Sequence, residues 1–432
     1  MRYLAYIAHL TYNYFKPITL LITASMSNKK NNYLVPLFII GILFFVMGFV
    51  TWVNGTLITF FKKAFGLDNA SSYLVTFAFF ISYTLMAIPS SMVLKKTGFK
   101  NGMSLGLLVM AVGTLIFIPA ADMASYNLFL VGLFTIGIGL TVLQTASNPY
   151  ITILGPRNSA AQRISIMGIA NKVAGIISQV VVGGLLLTGA TSTDPKEELA
   201  KVEVPYMILT AVLVGLALLI RMSKGLVEVS EEEEDDKSAS TEQVATTKTS
   251  VFQFPNLVFG VIALFCYVGV EVIAGDTIIS YGESLGLEGA HLFGTYTLAG
   301  MMIGYLLGIV LIPKYVSQQS YLIFSAILGV IVTIATVYTT GFTSVLCVAI
   351  LGFANALVWP ALWPLALSGV GKFTKTASAL MIMGISGGAV VPMIYGAIAD
   401  NIGSTQKAYW IMVPLYLFIL FFGLVGHKKK NW

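Results

Sequence analysis

The sequence predicts an all-α membrane protein of twelve transmembrane helices, arranged as two six-helix bundles that form a parallel internal repeat. Three observations predict it. Hydrophobic residues make up 57% of the 432 and charged ones only 10%, with a mean hydropathy of +0.85, more apolar surface than a soluble core can hide. Apolar runs of about twenty residues recur along the whole chain, each long enough to cross a bilayer. Short patterns from the first half return in the same order in the second.

Hydropathy places the first six helices at Leu34 to Phe61, Ser72 to Leu94, Gly102 to Ala120, Leu128 to Leu154, Ile164 to Leu187 and Pro205 to Ile220. The second six fall at Asn256 to Ser280, Leu292 to Ile312, Tyr321 to Tyr338, Ser344 to Val370, Ala377 to Ala399 and Ala408 to Val425. The joints are short and rich in Gly, Pro, Asn and Lys, as interhelical loops require.

Lys and Arg resist translocation, so their distribution sets the orientation. With both termini cytoplasmic, the inner side holds Lys29, Lys30, Lys95, Lys96, Lys100, Arg157, Arg163, Arg221, Lys224, Lys314, Lys372, Lys375 and Lys428 to Lys430. The outer side holds Lys62, Lys63, Lys196, Lys201 and Lys407, a clear minority. The expected domains are an N-terminal extension (1–33), a first bundle (34–222), an acidic cytoplasmic linker (223–252), a second bundle (253–427) and a basic tail (428–432).

The extension carries Arg2 and Lys16 before an apolar stretch too short to span. It reads as a loosely ordered or interfacial segment rather than a cleaved signal, and Met26 would serve equally as a start. The linker holds the run Glu231 to Asp236 without the alternating ligands and central Gly of a calcium loop, so it reads as solvated and disordered.

Several classes are excluded. The net charge of +6 is spread singly between apolar runs and forms no nucleic-acid patch. Cys266 and Cys347 lie inside apolar runs, and the three histidines sit at segment ends, so disulfide, zinc and haem frameworks are not expected. Gly371-Lys372 is followed by Phe373 where a phosphate-binding loop needs Ser or Thr, so no nucleotide motor is encoded. No nucleophile, base and orienting group converge as an enzyme would need, and no cofactor is expected.

The internal repeat shows in Ile166-Met167-Gly168-Ile169, which returns as Ile382-Met383-Gly384-Ile385. Asn54-Gly55-Thr56-Leu57-Ile58 aligns likewise with Gly275-Asp276-Thr277-Ile278-Ile279. Parallel repeats of this kind place a substrate site between the halves, near the bilayer midplane.

Ionisable groups in hydrocarbon need a reason. Lys172 in the fifth helix and Glu271 and Asp276 in the seventh are the candidates. On a regular helix, residues five apart point roughly 140° from each other. The two acids therefore cannot act through one face. One is expected to face a central cavity as the coupling group for a proton or sodium ion, and the other to pair with Lys172; a static network of all three is the alternative.

Uncharged polar residues mark the substrate. Gln144 and Asn148 share one face of the fourth helix beside Pro149, and their amides suit hydroxyl groups. Asn355, Trp359 and Trp363 repeat at the same spacing in the tenth helix, building a stripe of one amide and two indoles. Flat rings take the C–H face of a sugar while amides take its hydroxyls, so this reads as a hexose platform, with an interfacial aromatic belt as the alternative. Asn54, Trp52 and Asn171 are further candidates.

At Thr145-Ala146-Ser147-Asn148-Pro149-Tyr150, leading into Leu154-Gly155-Pro156, the chain resembles the fucose/proton symporter and glucose/galactose transporter family of the major facilitator superfamily. Phe79-Phe80-Ile81-Ser82-Tyr83 with Pro89 supports this, as does the loop Leu94 to Lys100. Val358-Trp359-Pro360-Ala361-Leu362-Trp363-Pro364-Leu365 resembles the glucose/galactose branch. The resemblance implies alternating-access symport of a monosaccharide, with Asn171 at a family polar position and Tyr83, in the matching helix 2 stretch, as a further substrate-binding candidate.

Two departures matter. The fucose branch carries acids in helices 1 and 4 where this chain has Gly55 and Gln144, so that proton machinery does not transfer. By internal symmetry Asp276 is the counterpart of the missing helix 1 acid, which singles it out as the coupling residue. Lys95 also stands where the superfamily's loop motif usually has Asp. The expectation is a monomeric, multi-pass hexose importer of a bacterial inner membrane, for glucose or galactose first and fucose or N-acetylglucosamine as alternatives. A facilitated uniporter and a membrane sugar sensor are the rival readings.

Overall fold

A computed structural model describes residues 34–154, 160–188, 194–223, 226, 248–311 and 315–432, which are almost wholly helical and contain no strand. The N-terminal extension and most of the acidic linker lie outside these residues. Among the described residues eleven helices are long and apolar enough to cross a membrane. One of them, Leu74–Asp122, is 49 residues long and breaks at Gly98, whose φ of 74° only glycine adopts without strain. The break splits it into two, giving the twelve segments the hydropathy predicts.

They are labelled α1 (Leu34–Phe65), α2 (74–97), α3 (99–122), α4 (Tyr126–Ile153), α5 (Ala160–Leu187) and α6 (Pro195–Met222). The second half holds α7 (Pro255–Ser284), α8 (Ala290–Leu311), α9 (Gln318–Tyr338), α10 (Gly341–Leu367), α11 (Thr376–Ile402) and α12 (Thr405–Lys428). Packing repeats between the halves. Contacts of α1 with α5 match those of α7 with α11, and contacts of α3 with α6 match those of α9 with α12. Across the halves α5 meets α8, α2 meets α11 and α1 meets α7. Large apolar side chains such as Phe38, Ile88, Val112, Leu185, Val310 and Ile331 stay exposed on the outer faces, as lipid contact requires.

Three helices are not regular throughout. The tenth is interrupted between Asn355 and Val358, and the eleventh tightens to a 3-10 turn at Gly384–Ser386. The seventh contains a π turn at Ile273–Thr277. These departures carry polar side chains at or beside them, which is where helical bundles tolerate irregular backbone.

The last residues, the basic tail of the sequence, dock against the second half. Lys430 Nζ donates to the Ser368 carbonyl at 3.0 Å and Trp432 Nε1 to that of Phe252 at 2.8 Å. Arg163, expected on the inner surface, is buried, with Nε donating to the Ile151 carbonyl at 3.1 Å.

Backbone contact fixes α1 on α5. A methyl group placed on Gly48 would lie 2.1 Å from the Asn171 carbonyl oxygen. No side chain can move aside there, so Gly48→Ala is expected to cost about 3 kcal/mol by overpacking. A lower unfolding temperature of the purified variant checks this; an unchanged one would show that the two helices can part freely.

Candidate functional site

After Trp52 the first helix slackens into a turn at Val53, and the indole packs between α5 of the first half and α7 of the second. Two glycines make the slot: methyl groups on Gly175 of α5 and Gly275 of α7 would lie 2.7 and 2.4 Å from the ring. Trp52 Nε1 donates to Asn171 Oδ1 at 3.0 Å, and Asn171 Nδ2 donates to the Phe44 carbonyl at 3.4 Å. Gln179, fully buried, donates from Nε2 to the Trp52 carbonyl at 3.2 Å. Lys172 sits above the same indole, its ammonium 4.0 Å from the ring centroid, and pairs with Glu271 at 3.3 Å. Burial strengthens both attractions to the cation.

The geometry expected for the two acids needs correcting. A π turn holds one more residue than an α turn, so the 140° separation between Glu271 and Asp276 does not apply across Ile273–Thr277. Glu271 is the acid bonded to Lys172. Asp276 is 2% exposed and lies against α1, where a methyl group on Gly55 would meet its Cα at 3.0 Å and its Oδ1 at 3.3 Å. Any side chain at position 55 would press on the Asp276 backbone and carboxyl. Among the described residues Asp276 Oδ1 has no hydrogen-bond partner, nor have both amide atoms of Asn54 and the Thr56 hydroxyl. Such a group of buried, unsatisfied atoms costs stability unless a proton, ion or water completes it.

The expected stripe on α10 is also corrected. Because the helix breaks after Asn355, the amide and the indoles do not follow one helical register. Asn355 is fully buried and Oδ1 accepts from the Tyr416 hydroxyl of α12 at 2.9 Å. Trp359 and Trp363, both half-buried in Val358–Leu367, stack with centroids 5.3 Å apart and planes 22° from parallel. Tyr267 of α7 packs at 6.4 Å from Trp359.

Gln144 and Asn148 are half-buried on α4 and keep no hydrogen-bond partner among the described residues. Tyr83 of α2 is buried and stacks on Phe80, itself against Gly388 of α11. The structure thus links Trp52, Asn171, Lys172 and Glu271 through direct contacts, sets Asp276 against Gly55, and pairs the two indoles. Gln179, which sequence reading passed over, belongs with the first group; a lone amide in an apolar run was its signal. A cavity of about 400 Å³ lies elsewhere, between α1, α5 and α6, walled by Phe49, Val53, Val182, Leu185 and Leu209. It offers no amide or indole edge to a polar ligand.

Polar and charged groups gathered at helix interruptions, between two like halves of an apolar bundle, define a membrane transporter. The chain belongs to the Major Facilitator Superfamily, whose model matches residues 40–392. It is 33% identical over 409 residues, 93% of this chain and 97% of the relative, to the glucose/galactose transporter of Brucella abortus biovar 1 (strain 9-941). It is 27% identical to the L-fucose-proton symporter of Escherichia coli K12, over 94% of this chain and 95% of that one. Among solved structures it is similar to the superfamily transporter FucP in the outward conformation, with a TM-score of 0.70 and 27% identity, covering 91% of this chain and 99% of that chain.

Proposed function

We propose that this chain imports a neutral hexose of the glucose/galactose type by cation symport, opening alternately to the two faces of the membrane. The observation that carries the reading is the stacked pair Trp359 and Trp363, a broad aromatic face beside a helix break in the second half. The name of the relative that is 33% identical supports it. In this reading the indoles pack on the sugar's C–H face, and Gln144, Asn148 and Asn171 bond its hydroxyls. Tyr83, Asn54 and Asn355 border the path.

Glu271 and Lys172 neutralise each other across the halves, which leaves Asp276 as the group that gains and loses the coupling ion, a proton or sodium. A neutral or ion-bound Asp276 fits its buried seat against Gly55, whereas a bare carboxylate there is expensive. Loading the site therefore favours the packed arrangement, and unloading favours parting of α1 and α7.

Uptake of labelled glucose, galactose, fucose and N-acetylglucosamine into proteoliposomes, under separately imposed pH and sodium gradients, tests this. Glucose or galactose is expected to accumulate under one gradient. Trp363→Ala is expected to weaken half-saturation about tenfold, or ~1.4 kcal/mol, whereas Trp363→Phe keeps most of it. Failure of every hexose to enter would overturn the reading, and entry without accumulation would favour a uniporter.

A further inference from the structure

Asp400 stands in the last turn of α11, just before Gly403, which ends the helix in a left-handed conformation. A carboxylate at a helix C-terminus faces the negative end of the macrodipole and needs donors from elsewhere. They come from the other half of the molecule. Asp400 accepts hydrogen bonds from Asn69 N at 3.1 Å, Asn69 Nδ2 at 2.6 Å and Ala70 N at 2.8 Å. These donors open the chain's entry into α2, so the acid that opposes one helix end complements the start of another.

The surroundings extend the contact. Lys62 at the end of α1 donates to Asn69 Oδ1, which holds that amide's NH₂ toward Asp400. A methyl group on Gly396 would lie 2.9 Å from the Ala70 Cα and 2.5 Å from the Tyr73 ring, so α11 and the start of α2 touch without intervening side chains. The Tyr73 hydroxyl lies 3.3 Å from the Ser280 hydroxyl of α7, and Lys63 pairs with Glu283 at 2.7 Å. Every one of the links to Asp400, Ser280 and Glu283 joins residues 63–73 to residues 280–400, on the face opposite the start of α1 and the end of α12.

We propose that Asp400 is a positioning residue that latches this face shut, and that its bonds to Asn69 and Ala70 break each time the face opens. The inference rests on the alternating-access reading above. It is independent of which sugar or ion is carried. Lys63–Glu283 is half-exposed and adds little by itself. Asp400 holds two backbone N–H groups that otherwise have no partner at the helix start.

The test is a distance measurement between spin labels on Met123→Cys and Ile402→Cys, both exposed on this face in opposite halves, with Cys266 and Cys347 replaced by Ser. In nanodiscs without substrate, Asp400→Ala is expected to raise the longer-distance population about tenfold, the worth of one or two bonds to a charged acceptor. Asp400→Asn, which keeps the side-chain shape, is expected to fall between, and Asp400→Glu to return most of the short-distance population. Should Asp400→Ala fail to fold, the Asn and Glu variants decide. Distance distributions that superpose on the parent in whichever variants fold would overturn the latch. Because no sugar is present, that result is separate from a failure of hexose uptake.

Discussion

Asp276→Asn is expected to abolish gradient-driven accumulation, so that the internal sugar concentration stops at the external one. With one proton per sugar, one pH unit sustains about tenfold accumulation in the parent, and the variant should show none. Exchange of internal for external sugar should persist, because the amide keeps the shape of the carboxyl and the close packing on Gly55. Stability should hold or rise, since a buried amide costs less than a buried carboxylate. Counterflow and accumulation measured on the same vesicles separate the two effects. Undiminished accumulation would remove Asp276 from the coupling step and transfer the role to Glu271.

Lys172→Met is expected to be the most destabilising of the single changes considered, by about 3 to 5 kcal/mol. The cost arises less from the lost attraction than from Glu271 being left charged and largely buried without its lysine. The double variant Lys172→Met/Glu271→Gln should recover most of the loss. Unfolding of parent, both single variants and the double completes the cycle. Additive losses would show that the two groups do not act as a pair.

Much of the fold is legible in the chain because the bilayer imposes a simple rule on it. Each crossing needs about twenty apolar residues with internally satisfied backbone, and that constraint is written locally. The one 49-residue helix was separable by the same logic, since Gly98 lies in a basic joint. The like packing of α1 on α5 and of α7 on α11 follows the sequence repeat.

The site was legible in residue type more than in arrangement. Lys172, Glu271 and Asp276 stand out as charges in apolar runs. Their geometry rested on an ideal helix, and the π turn after Val272 removes that premise. Spacing alone puts Asn355 with the indoles. The break after it turns the amide to Tyr416, a partner 61 residues away in sequence. Asp400 left a local trace, an acid at the wrong end of a helix. Its donors at Asn69 and Ala70 are more than three hundred residues distant.

The sequence by itself determined that this chain is a twelve-helix membrane protein with a repeated half, and which few residues must justify being charged or amide-bearing in hydrocarbon. Only the tertiary structure decided which acid meets the lysine, which is seated against glycine, and which donors meet Asp400. Hydropathy is a property of each residue and adds along the chain. Pairing depends on where helices slacken and cross, and those points are set by contacts between segments that no local pattern records.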